Sequence, residues 1–311
     1  MANYITIDGG TTNTRINLIE GERIVDTLKL SIGARLGAEN KNEYKSSVKK
    51  GIAELLSRNN RSESDIEAMI CSGMITSEGG LINLPHLMAP VGIEELSKAL
   101  FTTKIPEISD IPFVFIPGVK LSGNDLSEND MMRGEETELY GLCDKPLTNT
   151  LYLLPGSHLK LIKTDEKGRI TSFSTSLSGE MIEALSKGTI LKGSLNLAES
   201  SIDGACLRKG CEYALNYGIN SALFKVRILD KALSGSKDEV YSFFLGAILS
   251  SDYNNILRLS ENTVVIGGKA AIKNAFCLLL RDSGKTIISV DDKTVEEAPA
   301  IGALRIYNEK Y

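Results

Sequence analysis

Two short strings, half a chain apart, carry residue types suited to holding phosphate. The first is Asp8-Gly9-Gly10-Thr11-Thr12-Asn13, set between the strand-like runs 4–7 and 14–19. The second is Pro155-Gly156-Ser157-His158-Leu159-Lys160, which follows the apolar run 151–154. Glycine lets a backbone come close to phosphate, and successive N–H groups in a tight turn cradle an anion. The hydroxyls of Thr11 and Thr12 add donors. Asp8 would repel phosphate directly, so its useful role is to hold hydrated Mg²⁺. The plain alternative for the first string is a hairpin with a Gly-Gly turn. The second string favours the phosphate reading, as does Gly267-Gly268 after the run 263–266, where a nucleoside could lie against backbone.

Five groups of residues could carry further chemistry. Arg15 shares a strand face with Asn13 and Asn17 by the period of two, and could meet a phosphate, a carboxylate or solvent. The string 130–138 reads as the opening of a helix over 131–143, with Met132, Leu139, Leu142 and Cys143 in one stripe. Glu135 and Glu136 fall inside that stripe, and acids there need a partner or a cleft. Asp130, at the expected helix start, is either an N-cap or a general base, and Arg133 projects from a neighbouring face. His158 and Lys160 fall on one strand face, opposite Leu159 and Leu161, and read as an anion site or as a core histidine beside a lysine. Ser178 is expected to cap a helix whose first turn holds Glu180. Ser72-Gly73-Met74 is a strand-to-loop turn that lines a cleft or is an ordinary loop.

These groups need elements to position them. Composition and turn signals predict strands over 3–8, 14–20, 23–30, 68–71 and 113–116, with helices over 43–58 and 93–100. Val48, Ile52, Leu55 and Leu56 form the apolar stripe of the first of these helices. A linker over 144–149 contains Pro146. Beyond it, strands are expected over 150–154, 158–164, 169–174, 263–266 and 286–290. The helices there are expected over 179–187, 201–216, 221–233, 237–258, 269–281 and 295–307. A strand meander followed by helices, given twice, is an α/β chain with a sheet core in each lobe, divided as 1–147 and 148–311. G-x-x-x-x-G-K-[ST] is absent, which excludes a P-loop, and no G-x-G-x-x-G opens a helix after the first strand, which disfavours a dinucleotide fold.

Bulk properties narrow the class. The 311 residues suit two domains, and 42% apolar with 24% charged residues is ordinary for a soluble globular protein. A net charge of −5 without a long basic block argues against nucleic acid or an anionic membrane as the main partner. The 5 cysteines are irregularly spaced and form no Cys-x-x-Cys, so reduced thiols in a cytoplasmic protein are expected. With only 2 histidines, a His-based metal site is not expected. Neither a signal peptide nor an apolar run of ~18 residues is read from the sequence.

Taken together, the strings resemble the 2-dehydro-3-deoxygalactonokinase family. They are Asp8-x-Gly10-Thr11-Thr12-Asn13-x-Arg15, Asp130-x-Met132-Arg133-Gly134-Glu135-Glu136-Thr137, Pro155-Gly156-Ser157-His158-x-Lys160 and Leu177-Ser178-Gly179-Glu180. The second and third are specific, whereas the first marks only the wider sugar kinase, hexokinase and actin-like superfamily. The resemblance implies a duplicated actin-like (ribonuclease H-like) ATPase fold, two lobes with a cleft between them. It implies ATP- and Mg²⁺-dependent phosphorylation of the terminal (C6) hydroxyl of 2-dehydro-3-deoxy-D-galactonate in D-galactonate breakdown. The sugar acid and ATP are the implied partners, and a homodimer is allowed.

The implied roles follow the matched residues. Gly10, Thr11, Thr12 and Asn13 hold phosphate from one lobe and Gly156, Ser157 and Lys160 from the other. Asp8 binds Mg²⁺ through water, and Gly267 and Gly268 face the adenosine. Arg15, Ser72, Gly73, Met74, Arg133, His158 and Glu180 lie on the substrate side, with Arg133 or Lys160 on the carboxylate. Asp130 is the expected base, with Glu135 behind it. Two departures stand out: Pro155 occupies a place where the superfamily often has an acid, and Gly9 one where the family often has a bulky aromatic. The alternatives are a kinase for the gluconate epimer, or an actin-like ATPase switch without a sugar substrate. Switches that act by electron transfer need clustered cysteines for iron–sulfur binding, and these 5 are scattered.

Overall fold

The computed structural model describes residues 2–145, 147–195, 201–268 and 270–310. Pro146 of the expected linker and Lys269 at the expected helix start lie outside them. The strands are β1 (Asn3–Gly9), β2 (Thr14–Glu20), β3 (Arg23–Leu30), β4 (Ala68–Gly73), β5 (Leu87–Met88), β6 (Phe101–Ile105) and β7 (Ser109–Phe115). They continue as β8 (Val119–Leu121), β9 (Asp130–Met132), β10 (Thr150–Leu154), β11 (Leu159–Thr164), β12 (Ile170–Ser176), β13 (Thr263–Ile266) and β14 (Thr286–Ser289). The helices are α1 (Ala34–Glu39), α2 (Lys41–Arg58), α3 (Ile93–Lys98), α4 (Glu135–Gly141), α5 (Ser178–Gly188), α6 (Gly204–Tyr217), α7 (Ile219–Lys231), α8 (Lys237–Arg258), α9 (Ala270–Leu280) and α10 (Asp292–Asn308).

The chain forms two compact units. One comprises Met1–Thr148, Thr164–Ser172 and Lys293–Tyr311, the other Asn149–Lys163 and Phe173–Asp292. The expected second lobe, 148–311, therefore differs from the second unit, because α10 from Lys293 onward belongs with the first. The cause is close helix packing. A Cβ on Gly141 of α4 would run into the Ala298 carbonyl, and one on Gly302 of α10 into the Thr137 carbonyl. Larger residues at these positions would hold the two helices apart.

In the first unit the sheet order is β3-β2-β1-β4-β7-β6. β1, β2 and β3 form an antiparallel meander, while β1, β4 and β7 run parallel. Ile5, Ile7, Ile16 and Leu18 are buried with Val48, Ile52 and Leu55 of α2 and with Phe113 and Phe115 of β7. Each such fully buried side chain stabilises by roughly 1.5–3 kcal/mol. Asn40 caps α2 by accepting from the Glu43 amide. A second, small sheet of order β5-β8-β9 arises from segments read as loop or helix in the sequence.

The second unit has the sheet order β12-β11-β10-β13-β14, with β10, β13 and β14 parallel. Its core centres on α8, buried along Val240–Leu249 on nearly all sides. Gly210 and Gly246 let α6 and α8 touch backbone to backbone. The five-strand order 3-2-1-4-5 is thus present twice. In an open α/β sheet, ligands bind outside the carboxyl ends of the parallel strands. Those ends carry Asp8-Gly9 and Ser72-Gly73 in the first unit, and Leu154-Pro155 and Ile266-Gly267 in the second. Among the described residues, no helix is long and apolar enough to cross a membrane.

Candidate active site

Asp8 pairs across β1 and β4 with Ser72, and across β1 and β2 with Arg15. The turn beyond it is pinned by the Gly10 amide on the Asn13 carbonyl at 2.8 Å. The carbonyls of Gly10 and Thr11 accept the amides of Ala34 and Arg35, each at 3.0 Å. With those two oxygens turned toward α1, Thr11, Thr12 and Asn13 stand exposed. The hydroxyls of Thr11 and Thr12 are therefore on offer as donors to an anion, with the carbonyls of Gly10 and Thr11 already engaged.

Acids gather beside this turn. Gly73 has φ +76°, and a Cβ there would meet the Gly9 carbonyl and lie 3.0 Å from Asp8 Oδ1. A Cβ on Gly134 would lie 3.2 Å from Gly73 Cα, so two glycines bring the start of α4 against the end of β4. Burial pushes the Asp8 carboxyl up to about 6, with Arg15 opposing and Glu135 adding to the shift. Glu138 is pushed up to about 8 by burial and by the charges of Glu135 and Asp8, against Arg15. Glu136 also rises to about 8, through burial and Glu135, although amide hydrogen bonds and Arg133 favour its ionised form. Among the described residues no group of three or more His, Cys, Asp or Glu is arranged to hold a bare metal ion. A hydrated Mg²⁺ shared with phosphates needs only one or two carboxylates, and a carboxyl disfavoured by burial and by acidic neighbours gains from such a cation. Asp8 fits that role.

The string 130–138 differs from the helix expected over 131–143. Asp130–Met132 is strand β9, with Asp130 opposite Leu121, and α4 starts only at Glu135. Asp130 is thus no helix cap, and its Oδ1 accepts the Met131 amide at 2.7 Å. Gly134 breaks the continuity with φ +115°. Glu135 Oε2 accepts the Arg133 amide at 3.0 Å.

Arg133, expected on a substrate carboxylate, has its guanidinium engaged within the unit. Nη1 donates to the Thr76 carbonyl and hydroxyl, both at 2.6 Å, and Nη2 to the Leu84 carbonyl at 2.8 Å, with His86 Nδ1 at 3.3 Å. The Thr76 hydroxyl donates in turn to the Gly73 carbonyl at 3.0 Å, so Arg133 steadies the turn of Gly73 and Met74.

In the second unit, α5 packs its first turn on the turn at Gly156 and Ser157. The Glu180 amide donates to the Ser157 carbonyl at 3.0 Å, and Gly179 leaves no room for a Cβ against the Gly156 carbonyl. Ser178 is the first residue of α5 rather than its cap, and its hydroxyl donates to the buried Asp252 at 2.5 Å. His158 precedes β11, stands exposed, and lies 3.1 Å from Glu180 through Nε2. Lys160 does not share its setting. It is 4% exposed, with Nζ on the Thr175 hydroxyl at 2.5 Å and 5.7 Å from the Phe173 ring centre. The alternation read from the sequence fails here because both faces of β11 are buried. Gly267 donates to the Leu153 carbonyl at 3.0 Å, and Gly268, at φ +76°, leaves no space for a Cβ against Pro155. The two glycine turns of this unit therefore lie against each other.

Sequence reasoning missed Glu138, Asp252 and Thr76. Glu138 lies three residues after Glu135, hence on the same helical face, and that spacing was a usable signal. Asp252 and Thr76 gain their partners through long-range packing and left no local sign.

The doubled 3-2-1-4-5 sheet, with glycine turns at the carboxyl ends of its parallel strands, is the actin-like fold shared by sugar kinases. The chain belongs to the 2-keto-3-deoxy-galactonokinase family, whose model matches residues 8–303, and it is thus a kinase. It is 27% identical over 253 residues to the 2-dehydro-3-deoxygalactonokinase of Escherichia coli (strain K12), covering 81% of this chain and 79% of that protein. A solved 2-dehydro-3-deoxygalactonokinase candidate from Sinorhizobium meliloti superposes with a TM-score of 0.78 at 19% identity, covering 97% of this chain and 96% of that one. The activator of 2-hydroxyisocaproyl-CoA dehydratase from Clostridium difficile, solved with bound ADPNP, gives 0.52 at 13% identity, covering 99% and 96%. At these identities the two structures speak to the fold.

Proposed function

We propose that this kinase transfers the γ-phosphoryl group of ATP, with Mg²⁺, to the terminal hydroxyl of 2-dehydro-3-deoxy-D-galactonate. The observation that carries the reading is the close approach of Gly73 and Gly134, which brings the start of α4 with its acids against Asp8, the residue that leads into the exposed turn of Thr11, Thr12 and Asn13. Phosphoryl transfer asks a protein for little covalent chemistry, and mostly for positioning and charge stabilisation. Gly10, Thr11, Thr12 and Asn13 would hold the transferred phosphoryl group, Gly156 and Ser157 the other phosphates, and Gly267 and Gly268 the adenosine. Asp8 would take Mg²⁺ through water, which would supply charge neutralisation to the phosphates. Ser72, Gly73 and Met74 would form a wall of the sugar site, and His158 and Glu180 would act as one polar pair.

Glu135 is the better base. Supporting this, the close approach of Gly134 to Gly73, and of Gly73 to Asp8, brings the start of α4 toward the Asp8 carboxyl, and the Glu135 charge acts on Asp8. Asp130 stands on β9, opposite Leu121 in the small sheet. Arg133 and Lys160 are both engaged internally, so the carboxylate of the sugar acid is left to another cation. A cytoplasmic enzyme fits the reading.

The deciding experiment is ADP release across a panel of 2-dehydro-3-deoxy sugar acids. Turnover that requires the galactonate form supports the assignment. Preference for the gluconate epimer moves the substrate, and ATP hydrolysis indifferent to every sugar acid overturns the kinase reading in favour of a switch.

A further inference from the structure

A groove of about 440 Å³ lies in the first unit, lined by β2, β3 and the first turns of α10. Arg15, Lys29 and Lys293 bring three cations to its walls, and Glu296 and Glu297 bring two acids. Its floor is polar. Asn17 lines it, with its amide nitrogen on the Thr6 hydroxyl at 3.0 Å and its amide oxygen taking the Thr27 hydroxyl at 2.9 Å. One carboxylate is already seated among the cations. Glu296 Oε1 takes Lys29 Nζ at 2.6 Å and lies 3.7 Å from Arg15 Nη2, while Arg15 Nη1 is held by the Glu296 carbonyl at 2.8 Å. Lys293 is paired at 3.8 Å with Glu297.

We propose that this groove is a second anion site, which takes the phosphate group of a small phosphorylated sugar acid or free inorganic phosphate, and that Glu296 occupies it internally when no ligand is bound. The chemistry favours exchange. Lys29 and Glu296 are 61% and 55% exposed, and ion pairs in such settings contribute little, so displacing the carboxylate costs little. An incoming phosphate brings more charge and more acceptor oxygens, and it can engage Arg15, Lys29 and Lys293 together through charge-assisted hydrogen bonds. The volume admits a six-carbon acid. The site is distinct from the turns that hold ATP, because Asn17, Lys29 and Lys293 belong to neither turn. Arg15 is shared, since it is also the cation facing Asp8, so occupancy of the groove would be felt at the metal-side carboxylate.

The test uses the full chain, with inorganic phosphate and 6-phosphogluconate as probes and saturating MgADP to fill the nucleotide turns. Binding is read by calorimetry and by thermal protection. Wild type should bind at least one probe. Glu296→Gln, which removes the internal competitor, should bind it about two- to fivefold more tightly. The double variant Lys29→Met/Lys293→Met should lose about tenfold or more in affinity, while its kcat without added anion stays at the wild-type value. Protection by phosphate alone identifies a phosphate site, and protection by 6-phosphogluconate beyond that of phosphate identifies a phosphorylated sugar acid as ligand. Probe binding that is equal in wild type and the double variant overturns the proposal, as does absence of binding in wild type. Should Glu296→Gln fold poorly, the double variant decides alone.

Discussion

Glu136 turns both carboxylate oxygens back onto the amide of Gly134, each at 2.9 Å. The two neighbouring glutamates of α4 therefore do different work. Glu136 is buried and closes the start of its own helix, while Glu135 remains partly exposed beside Asp8. A carboxylate at a helix N-terminus is favoured by the orphan amides and the helix dipole.

Kinetics should separate these two residues. Glu135→Gln is expected to lower kcat by ~10²-fold or more, as for loss of a general base, at nearly unchanged melting temperature. Glu136→Ala should destabilise the protein by about 2–4 kcal/mol through a lost buried side chain and an unpaired amide. Asp130→Asn should keep near-normal kcat. A large loss of kcat in Asp130→Asn together with normal turnover in Glu135→Gln would return the base to Asp130.

Stability should depend on pH in a definite direction. Glu136 and Glu138 are each held near 8, above the ordinary glutamate value of 4.5. Between those limits the folded chain keeps protons that the unfolded chain releases, so stability falls as pH rises through that window. Melting temperatures measured from pH 5 to 8 should fall, and Glu136→Gln should flatten part of the slope. A rising curve would contradict the burial of these acids.

Arg133 gives a contrast between substrate and scaffold. Its guanidinium holds the carbonyls of Thr76 and Leu84, and hydrogen bonds from a charged group contribute about 1.5–3 kcal/mol each. Arg133→Met is therefore expected to lower stability by at least ~2 kcal/mol, with activity falling as a result of the looser turn at Gly73. A variant that melts like wild type but shows a raised KM for the sugar acid would instead make Arg133 a direct ligand.

Gly268→Ala should damage the nucleotide turn. The left-handed φ of +76° disfavours any side chain, and a Cβ would press on Pro155. A strain of ~1–3 kcal/mol is expected, with KM for ATP raised more than KM for the sugar acid. Unchanged KM for both substrates would detach Gly267-Gly268 from nucleotide binding.

Much of the frame was legible because it is written in local pattern. The strand pair β1 and β2 showed as apolar runs around a glycine turn, and α2 and α8 as long segments ended by polar residues. β9 was misread because Asp-Met-Met-Arg favours helix locally and the apolar stripe of α4 extends backward through it. The break was present in Gly134, whose φ of +115° a helix interior would not use. The burial of Lys160 was hidden because it depends on β12 and Phe173, residues distant in sequence. The motifs at Asp8 and Gly156 were readable as turns, whereas the engagement of Arg133 and the acidic company of Asp8 exist only after packing.

The return of α10 to the first unit bears on how the chain is made. Tyr307 meets Tyr4 edge-on at 5.4 Å, and Arg305 holds the carbonyls of Tyr140 and Cys143. On the ribosome the helix that completes the first unit is made only after the whole of the second unit. The first unit must wait with an open flank while the second is made and can already fold, because domains fold as units during synthesis at roughly 5–20 residues per second. For this chain that is an interval on the order of ten seconds or more in which unpaired apolar surface is exposed to chaperones and to other nascent chains. Emergence of α10, rather than of β1, sets the moment at which the Asp8 turn acquires its finished surroundings.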